Sequence, residues 1–176
     1  KTLPERQLSS GLAETIKHAC LADGEMFDYL EKNIEKILVN DKDACEYIAE
    51  HNCAVKYKVV MKDERESGLR EVLNLGHTFA HAIEKLSSGR WSHGEAVAVG
   101  IILAARLAES LSDKVTGSDG LPFICEEGLR ARLERDFKAI GLPTECPYTL
   151  KEMSDAMSKD KKAEGDRINF ILPAKI

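Results

Sequence analysis

Arg70-Glu71-Val72-Leu73-Asn74-Leu75-Gly76-His77-Thr78-Phe79-Ala80-His81-Ala82-Ile83-Glu84 is the stretch on which the reading of this chain turns. At about 3.6 residues per turn, positions four apart lie about 40° apart on one helix face. Arg70, Asn74, His77, His81 and Glu84 then form one polar stripe on an otherwise apolar helix, predicted from about Leu69 to Leu86. A lone histidine in such a stripe reads as a satisfied core residue. A pair at i and i+4 can turn both imidazoles into one cleft, as a metal or catalytic site requires, with an ordinary helical pair as the alternative.

Working outward, the prolines punctuate the chain. They fall at Pro4, Pro122, Pro143, Pro147 and Pro173, leaving residues 5–121 free of them. Proline breaks helix interiors, so this stretch predicts successive helices. The first opens at Pro4 and runs to about Ala22, where Asp23-Gly24 stops it; the second spans about Glu25 to Val39. Asp41 is an N-cap candidate for a third, Lys42 to about Met61. Ser92 or His93 opens a strongly apolar helix to about Ser110, predicted to be central because its Ala, Val, Ile and Leu residues leave no polar face. Residues 113–121 are loop, with helices near 123–140 and 149–158. Arg167-Ile-Asn-Phe-Ile-Leu172 has the only strand pattern. The predicted fold class is mainly α, a multi-helix domain (residues 1–176) ending in a short strand, with no Gly-x-Gly-x-x-Gly turn between strand and helix.

Composition bounds the function. The 176 residues carry a formal charge of -5 and 6% aromatics. With acids and bases mixed throughout and no dense Lys/Arg stripe, nucleic acid is not an expected partner. No run nears the roughly 18 apolar residues of a membrane span. Cys20, Cys45, Cys53, Cys125 and Cys146 are scattered and odd in number, which argues against a disulfide framework and a thiolate zinc site and suits reduced thiols in the cytoplasm. Lys1 is not an initiator Met, so the chain reads as part of a longer one.

Two further elements join the histidine helix. His93-Gly94-Glu95-Ala96 places an imidazole at a helix start, poised to face a cleft or simply to cap; three of the five histidines fall within 17 positions. In Gly11-Leu-Ala-Glu14-Thr-Ile-Lys17-His18, Glu14 could be half of an ordinary Glu–Lys pair. With His77 and His93 it would instead complete a two-histidine, one-carboxylate set that leaves a metal open to substrate. His18 is a rival ligand by spacing. Lys56, Lys58, Glu66, Lys161 and Lys162 read singly as surface charges. Lysines converging on a metal cleft would suit an anionic substrate.

These motifs, in this order, resemble the signature of 3-dehydroquinate synthases: Gly11 to Lys17, Asp63-Glu-Arg-Glu66 with Arg70, Leu73 to Glu84, His93 to Ala98, and Asp160-Lys-Lys162. The resemblance covers essentially the whole chain. It implies conversion of 3-deoxy-D-arabino-heptulosonate 7-phosphate to 3-dehydroquinate and phosphate, in the shikimate pathway of aromatic amino-acid synthesis. Transient oxidation by bound NAD, phosphate elimination, re-reduction and an intramolecular aldol step make up that conversion. It further implies that Glu14, His77 and His93 hold zinc or cobalt, and that His81, Lys17 and Glu66 act in catalysis. Lys56, Arg70, Asn74, His81 and Lys161 or Lys162 would bind the sugar-phosphate substrate. In the family a Rossmann-like N-terminal domain binds NAD, with its last contacts near Lys1 and Thr2; that domain is expected to lie outside this chain, leaving the chain alone inactive. The parent is expected to be a homodimer. Ala80 stands where glycine is common, a change a helix tolerates. The alternatives are a related sugar-phosphate cyclase such as 2-deoxy-scyllo-inosose synthase, an iron-type alcohol or glycerol dehydrogenase domain, and a helical module closing a structural metal with His18 or His81.

Overall fold

The computed structural model describes residues 3–64, 68–117, 120–161 and 168–176, the side chains of 159–161 excepted. Among these, the chain forms seven α-helices and one 3-10 helix. Pro4 is extended, with φ -60° and ψ 148°, and its carbonyl accepts from Gln7 and Leu8 to start α1 (Glu5–Ala22). Asp23 ends α1 and begins α2 (Gly24–Leu38), its carboxylate accepting from the Met26 amide at 2.8 Å. Asp41 does the same for α3 (Lys42–Lys62) through Ala44 at 3.0 Å. Each carboxylate satisfies an amide that the first helical turn leaves without a partner.

The predicted helix from Leu69 to Leu86 is two elements. Leu69–Asn74 is a 3-10 helix, and α4 begins only at His77 (His77–Ser87). Gly76 makes the break at φ 78°, a left-handed conformation open to glycine. Arg70 and Asn74 therefore do not share the face that carries His77, His81 and Glu84.

α5 (His93–Leu111) is the central helix that its composition predicts, buried almost continuously from Gly94 to Ile102. Its start is fixed by a capping box, in which Ser92 Oγ accepts from the Glu95 amide and Glu95 accepts from the Ser92 amide at 2.6 Å. Replacing Ser92 with alanine is expected to lower stability by about 1 kcal/mol in urea unfolding; an unchanged midpoint would show that the cap is idle.

α6 (Leu129–Ala139) starts later than expected, because residues 123–126 pair their backbone elsewhere: Phe123 with Val115, Cys125 with Ser112 Oγ and Glu126 with the Ala174 carbonyl. α7 (Leu150–Lys161) packs on α4. The C-terminal strand is not formed among the described residues. A strand needs a neighbour for its ladder, and here residues 169–170 meet α4 while residues 173–176 meet the segment at Cys125 and Glu126. Phe170 stacks on Phe79 at 4.9 Å and the Asn169 carbonyl accepts from Thr78 at 3.1 Å.

All five cysteines are free. Burial pushes the Cys20 thiol up to about 12. At pH 8 the folded chain is expected to be alkylated at the exposed Cys53 and not at Cys20; equal labelling by mass spectrometry would contradict that packing. No helix among the described residues is long and apolar enough to cross a membrane.

Candidate metal centre

α1 and α4 both pack on α5, and two close approaches set their positions. A Cβ on Gly94 would lie 2.1 Å from the Ser10 carbonyl oxygen, so the first turn of α5 rests directly on α1. A Cβ on Gly100 would lie 2.2 Å from the Gly76 carbonyl oxygen, so the turn into α4 rests on the middle of α5. These contacts bring Glu14 of α1 to the first residues of α4 and α5, His77 and His93.

One nitrogen, oxygen or carboxylate atom from each of Glu14, His77 and His93 falls within 4.8 Å of the others. Glu14 Oε1 is 3.6 Å from both His77 Nε2 and His93 Nε2. The opposite ring nitrogens fix the tautomers. His77 Nδ1 lies 3.2 Å from the Leu75 carbonyl and His93 Nδ1 lies 2.9 Å from Glu84 Oε1. A carbonyl and a carboxylate only accept, so each Nδ1 carries a proton, and in the neutral ring each Nε2 then presents a lone pair. Glu14 Oε1 is buried and has no hydrogen-bond partner. Three acceptors thus face one another with no proton between them, a donor set that fits a divalent cation.

The local electrostatics keep Glu14 and His77 in that state. Burial raises the Glu14 carboxyl, but the Lys17 ammonium at 2.7 Å outweighs it and holds the group below the usual carboxylate range. Burial, helped by Lys17, holds His77 below the ordinary imidazole value and so neutral. Lys17 itself is buried, its pKa lowered first by burial and supported by Glu14.

The other predicted residues fall around this cluster. His81 is exposed, its ring edge-on to His77 at 5.7 Å. Lys56 is exposed on α3, near enough for its charge to act on Lys17 and His18. Arg70 and Asn74 sit on the 3-10 helix, which packs on α1 and α3, and the Arg70 amide donates to Asp63 at 2.9 Å. The rival ligand His18 is buried, hydrogen-bonded to Asn52, and stands outside the cluster. Lys1, Thr2, Glu66, Lys162 and the side chain of Lys161 lie outside the described residues. Glu84 was legible as part of the polar stripe, seven residues from His77, but its bond to His93 was not.

A family model described as 3-dehydroquinate synthase C-terminal matches residues 11–163. The chain belongs to the 3-dehydroquinate synthase family. Relatives named 3-dehydroquinate synthase include those of Desulforamulus reducens, 46% identical over 98% of this chain, and Citrifermentans bemidjiense, 42% identical over 97%. The chain spans 46% and 44% of those two relatives, less than half of each. Among solved structures, it superposes on 2-epi-5-epi-valiolone synthase from Streptomyces hygroscopicus, solved with NAD+ and Zn2+ bound, with a TM-score of 0.84 and 25% identity. That match covers 99% of this chain and 46% of the other. A 2-deoxy-scyllo-inosose synthase, solved with carbaglucose-6-phosphate, NAD+ and Co2+, shares the fold with a TM-score of 0.77 and 23% identity, over 99% of this chain and 47% of the other. The helical arrangement of the described residues is thus that of the C-terminal domain of this family, and the two solved synthases share its fold.

Proposed function

We propose that this chain is the metal- and substrate-binding half of a 3-dehydroquinate synthase, working with an NAD-binding domain on the same polypeptide. The observation that carries the reading is the meeting of Glu14 Oε1 with the Nε2 atoms of two imidazoles, each 3.6 Å away and without an intervening donor. Relatives 39–46% identical, all named 3-dehydroquinate synthase, favour that reaction over those of the cyclases, which are 25% and 23% identical.

In this reading Glu14, His77 and His93 hold zinc or cobalt. When bound, the ion would supply a Lewis acid for substrate hydroxyls, and NAD a hydride acceptor. Lys17 holds Glu14 ionised and turns Oε1 toward the histidines. His81, exposed beside His77, is placed to exchange a proton with the substrate. Lys56, Arg70, Asn74 and either Lys161 or Lys162 supply cationic and amide donors for the carboxylate and phosphate of 3-deoxy-D-arabino-heptulosonate 7-phosphate. Glu66 assists proton transfer, and Lys1 and Thr2 adjoin the NAD site.

Phosphate release by a polypeptide carrying both halves tests this. Release from the seven-carbon keto acid phosphate, dependent on NAD and metal, is the expected result. Release from a hexose phosphate instead would move the chain to the cyclases, and carbonyl reduction without phosphate release would move it to the dehydrogenases.

A further inference from the structure

α4 presents His77 and Glu84 seven residues apart, two turns along one face. His77 faces Glu14 directly, whereas Glu84 reaches across to the first residue of α5 and accepts from His93 Nδ1 at 2.9 Å. The two nitrogens of an imidazole point to opposite sides of the ring, so a grip on Nδ1 aims Nε2 at Glu14. His93 needs such a grip. It is 47% exposed at its side chain, against 15% for His77, whose ring is already confined by packing and by the Leu75 carbonyl. Without the carboxylate, the His93 ring would be free to turn toward solvent or take its other tautomer.

We propose that Glu84 is a positioning residue that fixes the rotamer and the Nδ1–H tautomer of His93, so that one face of α4 sets two of the three side chains of the cluster. This rests on the metal reading of Glu14, His77 and His93, and it adds a residue with no direct place in that set. A carboxylate behind a metal-bound histidine typically affects affinity 10- to 100-fold.

Nitrogen-15 NMR of the metal-free chain reads the tautomer directly. His93 is expected as the Nδ1–H form in the wild-type chain and in Glu84→Gln, whose side-chain oxygen still accepts, and as a mixture in Glu84→Leu. Zinc titration of the same proteins is expected to show about 10- to 100-fold weaker binding in Glu84→Leu, with part of the loss restored in Glu84→Gln. In a His93→Ala background, Glu84→Leu should cost nothing further. Wild-type His93 in the Nε2–H form, or unchanged zinc affinity in Glu84→Leu when His93→Ala loses it, would overturn the proposal. Zinc binding that survives His93→Ala would instead overturn the metal reading, leaving the tautomer measurement to decide the clamp.

Discussion

His77→Ala is expected to weaken zinc binding to this chain by at least about 100-fold, with Glu14→Gln close behind and His18→Ala nearly neutral. The size follows from the number of donors. Three protein ligands are the minimum of an open catalytic zinc site, so losing one removes a bond rather than adjusting it. The loss should exceed the 10- to 100-fold typical of residues that merely support a ligand. Glu14→Gln keeps a side-chain oxygen and an acceptor for Lys17, but it removes the negative charge that balances the cation. His18 is the informative control. It lies on α1, one turn from Glu14, and is as plausible as Glu14 by spacing, yet it is buried and bonded to Asn52. Calorimetric titration of the metal-stripped proteins decides the matter. Affinity retained in His77→Ala but lost in His18→Ala would sink the assignment, whatever the family.

Much of this arrangement could be read from the residues, and the failures have physical causes. Helix starts were legible where a single side chain makes the cap, as at Asp41 and Ser92. The buried α5 was legible because a helix without a polar face must be covered on all sides. The stripe from Arg70 to Glu84 was only half right. Its period assumed unbroken 3.6-residue turns, whereas Gly76 takes a left-handed φ in a turn pressed against α5, where a Cβ would lie 2.7 Å from Ile101. That pressure comes from tertiary packing and leaves no periodic trace. The strand expected over residues 167–172 is not formed over the described residues 168–172, for a related reason. Alternating apolar residues suit any extended segment with one buried side, and here that side meets Phe79 rather than another strand. At the site, residue types and order suggested the Glu14, His77 and His93 set, but offered the Glu14–Lys17 pair as its alternative rather than its support. Choosing between Glu14 and His18, and the link from Glu84 to His93, required the crossing of α1 with α5 and of α4 with α5. Sequence spacing within single helices cannot supply those angles.

That crossing makes Gly94 a sensitive position, and Gly94→Ala is expected to lower stability by about 3 kcal/mol or more. The added Cβ would meet the Ser10 carbonyl oxygen at 2.1 Å, its Cα at 2.5 Å and its carbonyl carbon at 2.6 Å. These are backbone atoms inside a helix, so no rotamer change relieves them, and α1 and α5 must separate by roughly 1 Å to regain ordinary contact. The same motion would break the hydrogen bond from the Gly94 amide to Ser10 Oγ, now 3.0 Å. It would also act on the site. Glu14 lies one turn beyond Ser10 and His93 immediately precedes Gly94, so parting the helices opens the 3.6 Å approach between Glu14 and His93. The expected signature is therefore double: a lower urea midpoint and weaker zinc binding, with all ligands still present. Gly11→Ala on the same helix is the matched control. Its Cβ would meet nothing within 4 Å, and replacing a helical glycine with alanine should raise stability by up to about 1 kcal/mol. If the two variants unfold at the same urea concentration, the backbone contact between α1 and α5 does not hold this site together.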